Sequence, residues 1–290
     1  MSLQSFLFRR GAGRSDRARD RKIPLPEGIT QCRNISYGPS KKWNRLDVYY
    51  PDGTAAPLPT IISVHGGGYV YGTKENYRRY CMDLASRGFA VVNFTYHLAP
   101  KYKFPTPLAD TNAVMQWICR NAGTYRLDPE RIFLVGDSAG AQLASQYAAI
   151  VSNPDYGMLF GFTVPPVKIL GLGLNCGMYD GAALACGKRT GVAKDYLGVK
   201  LPSTDPRLQV LFHIDDRYPP SHITTAHHDF LRDHAEPFCR LLQERGVQAR
   251  LTCYGSQEAR SVGHVFHLNL NTPEAKQCND DQCNFFRSLL

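Results

Sequence analysis

The stretch Arg131-Ile132-Phe133-Leu134-Val135-Gly136-Asp137-Ser138-Ala139-Gly140 decides how the rest of the chain is read. Residues 131–135 form a short apolar run of β type, and a helical pattern starts near Ala141. Between them a serine stands with a glycine two residues away on either side, where a sharp strand-to-helix turn would leave no room for larger side chains. Such a turn exposes the serine Oγ at a helix N-terminus. From the glycine and serine content, the bare pentapeptide arises by chance in roughly one chain in ten, so its strand-turn-helix context carries the weight.

Working outward, residues 46–50, 60–64, 90–96, 131–135, 167–174, 222–226 and 248–254 read as strands. Helical patterns at about 75–87, 107–122, 139–152, 233–246 and 273–289 lie between or after them. Several of the strand runs are continuously apolar, as expected for strands buried on both faces of a parallel sheet covered by helices. The predicted fold class is α/β, with a mostly parallel central sheet flanked by helices. Two segments break the alternation: the first 40 residues or so, and 176 to about 220, rich in Gly, Pro and Asp. Packed together they would cover the carboxyl edge of the sheet, where open α/β sheets bind ligands. The domain expectation is therefore a single domain, 1–290, with a small cap from 1–40 plus 176–215.

The chain has 290 residues, of which 43% are hydrophobic and 20% charged, enough to bury a core without a partner. Its formal net charge is +9. Seven cations among the first 22 residues (Arg9, Arg10, Arg14, Arg17, Arg19, Arg21, Lys22), against Asp16 and Asp20, supply more than half of it. The remainder is ordinary for an enzyme domain and indicates no nucleic-acid surface. The basic arm reads as a solvated, frayed extension, with contact to an anionic surface as the alternative. No run of ~18 apolar residues suggests a membrane span, and Met1–Phe8 is too short and too polar for a signal peptide. The nine cysteines are scattered and odd in number, so a reducing, cytoplasmic setting is expected, with neither a disulfide scaffold nor a zinc knuckle.

A second motif, His65-Gly66-Gly67-Gly68, follows the run 60–64 directly. Consecutive glycines leave backbone N–H groups free to converge on a developing oxyanion, as acyl transfer requires. Its pairing with a serine elbow is a known esterase arrangement. The base must come late in the chain, after the acid, which leaves His264 and His267; His264 follows a glycine in the loop after 248–254. Asp229 and Asp233 both stand near the end of 222–226 as candidate acids. His222, His227, His228 and His234 lie close by, but at no spacing that suits a metal. Gly171, Gly173 and Gly177 imitate a dinucleotide loop with one gap too long, so no nicotinamide cofactor is expected.

These motifs make the chain resemble the hormone-sensitive-lipase-like (family IV) carboxylesterases of the α/β-hydrolase fold. The resemblance runs through His65–Gly72, Tyr96–Pro100 with Phe104-Pro105, Leu127–Ile132 leading into the elbow, Asp229–Asp233 and Gly263–Phe266. It implies Ser138 as nucleophile, Asp229 as acid and His264 as base, and an oxyanion hole from the N–H groups of Gly67, Gly68 and Ala139 with Gly66 shaping the loop. It also implies a cofactor-free, metal-free serine esterase for short acyl chains, acetyl to about hexanoyl, with an acetylated sugar or xylan-derived ester as one substrate. Pairing of two subunits through the edge near 248–254 would give a homodimer. His97, Lys101, Ala141 and Val265 depart from the family pattern. The rival readings are a non-catalytic small-ligand receptor on the same fold, separated by a chromogenic acetate assay, and an amidase or peptidase, separated by matched esters and anilides.

Overall fold

The central strands are apolar along their whole length because both faces are covered. In the computed structural model, which describes residues 1–186, 191–258 and 261–290, every residue of Ala90–Thr95 and of Ser221–Ala226 is buried. The strands are β1 (Ile29–Ser36), β2 (Arg45–Pro51), β3 (Leu58–Val64), β4 (Ala90–Thr95), β5 (Leu127–Asp137), β6 (Ile169–Asn175), β7 (Ser221–Ala226) and β8 (Ala249–Tyr254). They form one sheet in the order β1-β2-β4-β3-β5-β6-β7-β8. β1 and β2 pair antiparallel, β2 pairs antiparallel with β4, and all remaining neighbours are parallel.

The helices are α1 (Leu3–Asp20), α2 (Lys74–Ala85), α3 (Thr106–Asn121), α4 (Ala139–Ser152), α5 (Pro154–Met158), α6 (Gly181–Ala185), α7 (Gly191–Leu197), α8 (Ala235–Glu244) and α9 (Pro273–Arg287). Strand alternation sends Ile61, Phe133 and Val135 to one face, where they meet Cys81 and Leu84 of α2 and Cys283 and Phe286 of α9. Their neighbours Ile62, Val64 and Leu134 go to the other, against Val114 and Ile118 of α3, Leu143 and Tyr147 of α4 and Leu242 of α8. The result is a helix–sheet–helix sandwich.

Gly171 and Gly173 of β6 have a packing role. A Cβ on Gly173 would run into the Gln282 side chain of α9, and one on Gly171 would press on the tip of Leu289 just beyond that helix, so Gly173 lets α9 lie close on the sheet.

Two sequence expectations need correction. The first 22 residues are not a frayed arm: α1 is capped by Ser2, whose side chain accepts from the Ser5 N–H at 3.2 Å, while Ser2 N–H and Oγ donate to Asp195 of α7 at 2.8 and 3.0 Å. Further along, Tyr71 Oη donates to Asp16 at 2.9 Å, and Arg19 pairs with both Asp16 and Asp20. Residues 29–36, expected within a cap, are an antiparallel edge strand of the main sheet. The segment 176–215 does leave the α/β alternation, as α6, α7 and short 3-10 turns; its residues 187–190 lie outside the described residues.

Candidate active site

β5 runs through the middle of the sheet, between β3 and β6, and ends at Asp137. The chain turns at Ser138, with φ 52° and ψ −119°, and α4 begins at Ala139. That left-handed conformation is strained for a non-glycine residue and is held from both sides. The Ser138 N–H donates to Asn175 O at 2.9 Å, and the Ser138 carbonyl accepts from Gln142 N at 3.2 Å. A Cβ on Gly136 would strike the Gly140 carbonyl, and one on Gly140 would strike the Val64 carbonyl. Both flanking glycines are thus required by close backbone approach.

Three loops at the carboxyl ends of the strands complete the constellation. His264 Nε2 lies 3.0 Å from Ser138 Oγ, and His264 Nδ1 lies 2.7 Å from Asp229 Oδ1. Asp229 follows β7 and is fixed by the Leu231 N–H (3.0 Å) and by Thr225 Oγ1, which donates to Oδ2 at 3.0 Å. The His264 loop is pinned to the Asp229 loop by a parallel bridge between His228 and Gly263. Burial pushes the Asp229 carboxyl up, but the bonds from His264 and from the Leu231 N–H outweigh it and hold it below the ordinary carboxylate range. Asp229 therefore stays ionised and orients Nδ1–H, which leaves the Nε2 lone pair facing the serine. The exposed Phe230 ring lies over His264, 4.2 Å between centroids.

The competing candidates are elsewhere. His267 is fully buried and neither ring nitrogen has a partner among the described residues; burial lowers its pKa to about 3. Asp233 is exposed in a 3-10 turn. His222 bonds to Thr252, His227 to Arg232, and His228 to the Gln257 carbonyl.

The glycine loop after β3 is built by positive φ angles, +105° at Gly67 and +57° at Gly68. A Cβ on Gly67 would hit the Tyr71 carbonyl. Among the described residues no hydrogen bond engages the N–H groups of Gly67, Gly68 or Ala139. Gly66 differs, because its N–H donates to Tyr77 Oη at 2.9 Å. Tyr77 in turn donates to Asp137 Oδ2 at 2.7 Å. His65 is stacked on Tyr96 at 3.9 Å, and Tyr96 Oη donates to the His65 carbonyl at 2.9 Å. Burial lowers the His65 pKa to about 4, so the imidazole is a neutral wedge under the loop.

Sequence reasoning missed Tyr77, Tyr96, Thr225 and Cys176. Cys176, buried beside the Asp229–His264 pair, has its Sγ within 4.8 Å of an Asp229 carboxylate oxygen and of a His264 ring nitrogen. Asp137 offered one signal, an acid inside the pentapeptide: it is wholly buried, and burial raises its pKa to about 7 against the opposing bond from Tyr77. The departure at His97 keeps an anionic partner, since its N–H and Nδ1 lie 2.7 and 2.8 Å from Asp110 Oδ2. Lys101 lies over the Tyr102 ring.

A serine on a strained strand-to-helix turn, joined through an imidazole to a buried carboxylate at the carboxyl edge of a parallel sheet, defines a hydrolase of the serine-nucleophile class. Residues 61–268 match the family model described as "alpha/beta hydrolase fold", and the chain belongs to this family, in its hormone-sensitive-lipase-like branch. It is similar to the carboxylesterase NlhH of Mycobacterium tuberculosis, 29% identical over 281 residues, covering 90% of this chain and 84% of that one. It is also similar to the versiconal hemiacetal acetate esterase of Dothistroma septosporum, 27% identical over 248 residues, covering 79% and 73%. Esterase B from Lactobacillus rhamnosis superposes with a TM-score of 0.88 at 26% identity, covering 99% of this chain and 94% of that chain. The chain is a carboxylic ester hydrolase.

Proposed function

We propose that this carboxylesterase hydrolyses short-chain acyl esters, acetyl to about hexanoyl, through an acyl-enzyme on Ser138. The observation that carries the mechanism is the chain Ser138 Oγ–His264–Asp229, at 3.0 and 2.7 Å, beside the unengaged N–H groups of Gly67, Gly68 and Ala139. Ser138 Oγ attacks the ester carbonyl while its proton passes to His264 Nε2. The three N–H groups receive the oxyanion, each such donor being worth ~3 kcal/mol in the barrier. His264 then protonates the departing alkoxide, which leaves as the alcohol. Water attacks the acyl-enzyme, again yields its proton to His264, and the proton returns to Ser138 as the carboxylic acid departs. Gly66 serves by anchoring the loop through Tyr77, not by donating to the oxyanion.

Short acyl preference is supported by two relatives. One acts on an acetate ester by name, and the Lactobacillus enzyme is inhibited by a C4-C4 tributyrin phosphonate. An acetylated sugar or xylan-derived ester is one substrate that fits this preference. The cap is α1 with α6 and α7: a Cβ on Gly68 would lie 3.1 Å from Val192 and 3.4 Å from Phe8, so both side chains flank the oxyanion loop and bound the substrate space. β8 is an edge strand with one side unpaired in the sheet, which suits a homodimer through 248–254, tested by light scattering. Nine free cysteines favour a reducing, cytoplasmic setting.

The test is a panel of p-nitrophenyl esters of increasing acyl length with matched anilides. We expect kcat/KM to peak between acetyl and hexanoyl, with anilides turned over far more slowly. A peak at decanoyl or beyond would overturn the chain-length reading, equal anilide rates would favour an amidase, and no turnover of any ester would favour a receptor.

A further inference from the structure

α1 is built the wrong way round for a helix that packs only on its own protein. Its inward positions are small or polar: Ser5 and Gly13 are buried, and Asp16 and Arg19 are tied into side-chain bonds. Its larger apolar residues point out. Leu3 is 72% exposed, Phe6 42% and Leu7 58%. At 3.6 residues per turn, positions 3, 6, 7, 10, 14, 17 and 21 fall within an arc of about 100°. One stripe thus starts with Leu3, Phe6 and Leu7 and continues with Arg10, Arg14, Arg17 and Arg21, all exposed. The only acids on the helix, Asp16 and Asp20, are consumed by Arg19.

Beside α1 lies a second feature of the same sign. A groove of about 680 Å³ is lined by Arg9, Lys41, Lys42, Trp43, Arg45 and Glu75. Glu75 is already paired with Lys74 and Arg33. Arg9, Lys41, Lys42 and Arg45 have no acidic partner among the described residues, and Lys42 lies 4.7 Å from the Trp43 ring centroid. Cations without counter-ions beside an indole suit an anionic headgroup at a water–lipid boundary.

We propose that α1 and this groove form a docking face for an anionic lipid membrane. The apolar N-terminal turns enter the boundary between headgroups and acyl chains, the arginines that follow stay at the phosphate level, and Arg9 with the groove cations takes a headgroup. Charge decides for a lipid surface over a second copy of this chain, because two such faces would bring like charges together. Through Tyr71, which bonds Asp16 and adjoins the glycine loop, docking sets the active site at the membrane surface.

The test is co-sedimentation of the whole chain with large vesicles of phosphatidylcholine, with or without about 30% phosphatidylglycerol. Three further arms are about 1 M salt, where screening reaches within ~3 Å, glycerol phosphate as a soluble competitor, and two variants. We expect binding to the anionic vesicles only and its loss in high salt. Affinity should fall about a hundredfold or more when Arg10, Arg14, Arg17 and Arg21 are all changed to glutamine, and at least about tenfold with Leu3→Ser, Phe6→Ser and Leu7→Ser combined. The far-ultraviolet circular dichroism spectrum and the unfolding midpoint in urea should stay close to wild type in both, which reports that they fold. No sedimentation of the wild type, equal binding to pure phosphatidylcholine, or full binding by the glutamine variant overturns the proposal. Glycerol phosphate binding as tightly as the vesicles overturns it in favour of a soluble anion. A dimer that Leu3→Ser, Phe6→Ser and Leu7→Ser dissolve, with vesicles ignored, assigns the face to a second copy.

Discussion

The Tyr77 hydroxyl and the Asp137 carboxylate lie 2.7 Å apart, so helix α2 is bonded to the residue directly before Ser138 while it also holds the Gly66 N–H. One side chain thereby fixes the relation between nucleophile turn and glycine loop. Tyr77→Phe leaves a buried N–H and a buried carboxyl without partners, at a cost of about 1–3 kcal/mol each. We expect a lower unfolding midpoint in denaturant and a reduced kcat with KM little changed. Asp137→Asn keeps an acceptor for Tyr77 and should be milder; an equal or larger kcat loss there would contradict the positioning role of Tyr77.

Ser138→Ala should leave the fold intact, since the turn is set by Gly136 and Gly140, and should lower kcat by about 10⁶. Single-turnover assays with a chromogenic acetate read this directly. More than a tenth of the wild-type rate would remove the nucleophile assignment.

Asp229→Asn should cost about 10⁴ in kcat, because an amide offers His264 Nδ1 the wrong partner. Asp233→Asn, at an exposed position, and His267→Asn, at a ring packed against Tyr80 and Phe266, should keep normal chemistry apart from any loss of stability. A ranking with Asp233 above Asp229 would move the acid role.

Stability should fall in acid. Burial lowers the pKa values of His65 and His222 from 6.5 to about 4 and that of His267 to about 3. Between pH 6.5 and 4 the unfolded chain takes up these three protons and the native state does not, so stability drops as pH falls. Asp137 acts in the opposite sense: with its pKa raised from 3.8 to about 7, the native state holds a proton in this window that the unfolded chain has lost. Among these four groups the net difference is about two protons. Asp137→Asn should steepen the acid loss by up to about 1.4 kcal/mol per pH unit, and His267→Leu should flatten it by a similar amount. Urea unfolding at pH 5 and pH 6 measures both; unchanged slopes would contradict the assignment.

Deleting residues 1–22 should raise KM for the longer acyl chains. An unstructured arm could be removed at no cost, but α1 contributes Phe8 beside Gly68 and Asp16 to Tyr71. Kinetics across the acyl panel indistinguishable from the full chain would show that α1 does not bound the substrate space.

The site was more legible than the edges of the fold. Ser138 is announced by glycines whose absence of side chains is demanded by the backbones they touch, and chain order limits its partners to a few residues. β1 gave no such signal: none of its residues is buried, so nothing forces an apolar pattern on Ile29–Ser36. α1 was misread because its inward face is serine, glycine and salt-bridged acid, the reverse of an amphipathic helix. Tyr77 was invisible because its role depends on a meeting of α2 with β5, separated by 60 positions in the chain.

The turn at Ser138 sets a trap for laboratory evolution. Its φ of 52° with ψ of −119° costs on the order of 1–3 kcal/mol for any residue bearing a Cβ, and glycine would relieve it. Ser138→Gly should therefore be a dead but more heat-resistant protein. A library scored by thermal tolerance alone would enrich it, so each round of selection must also score turnover.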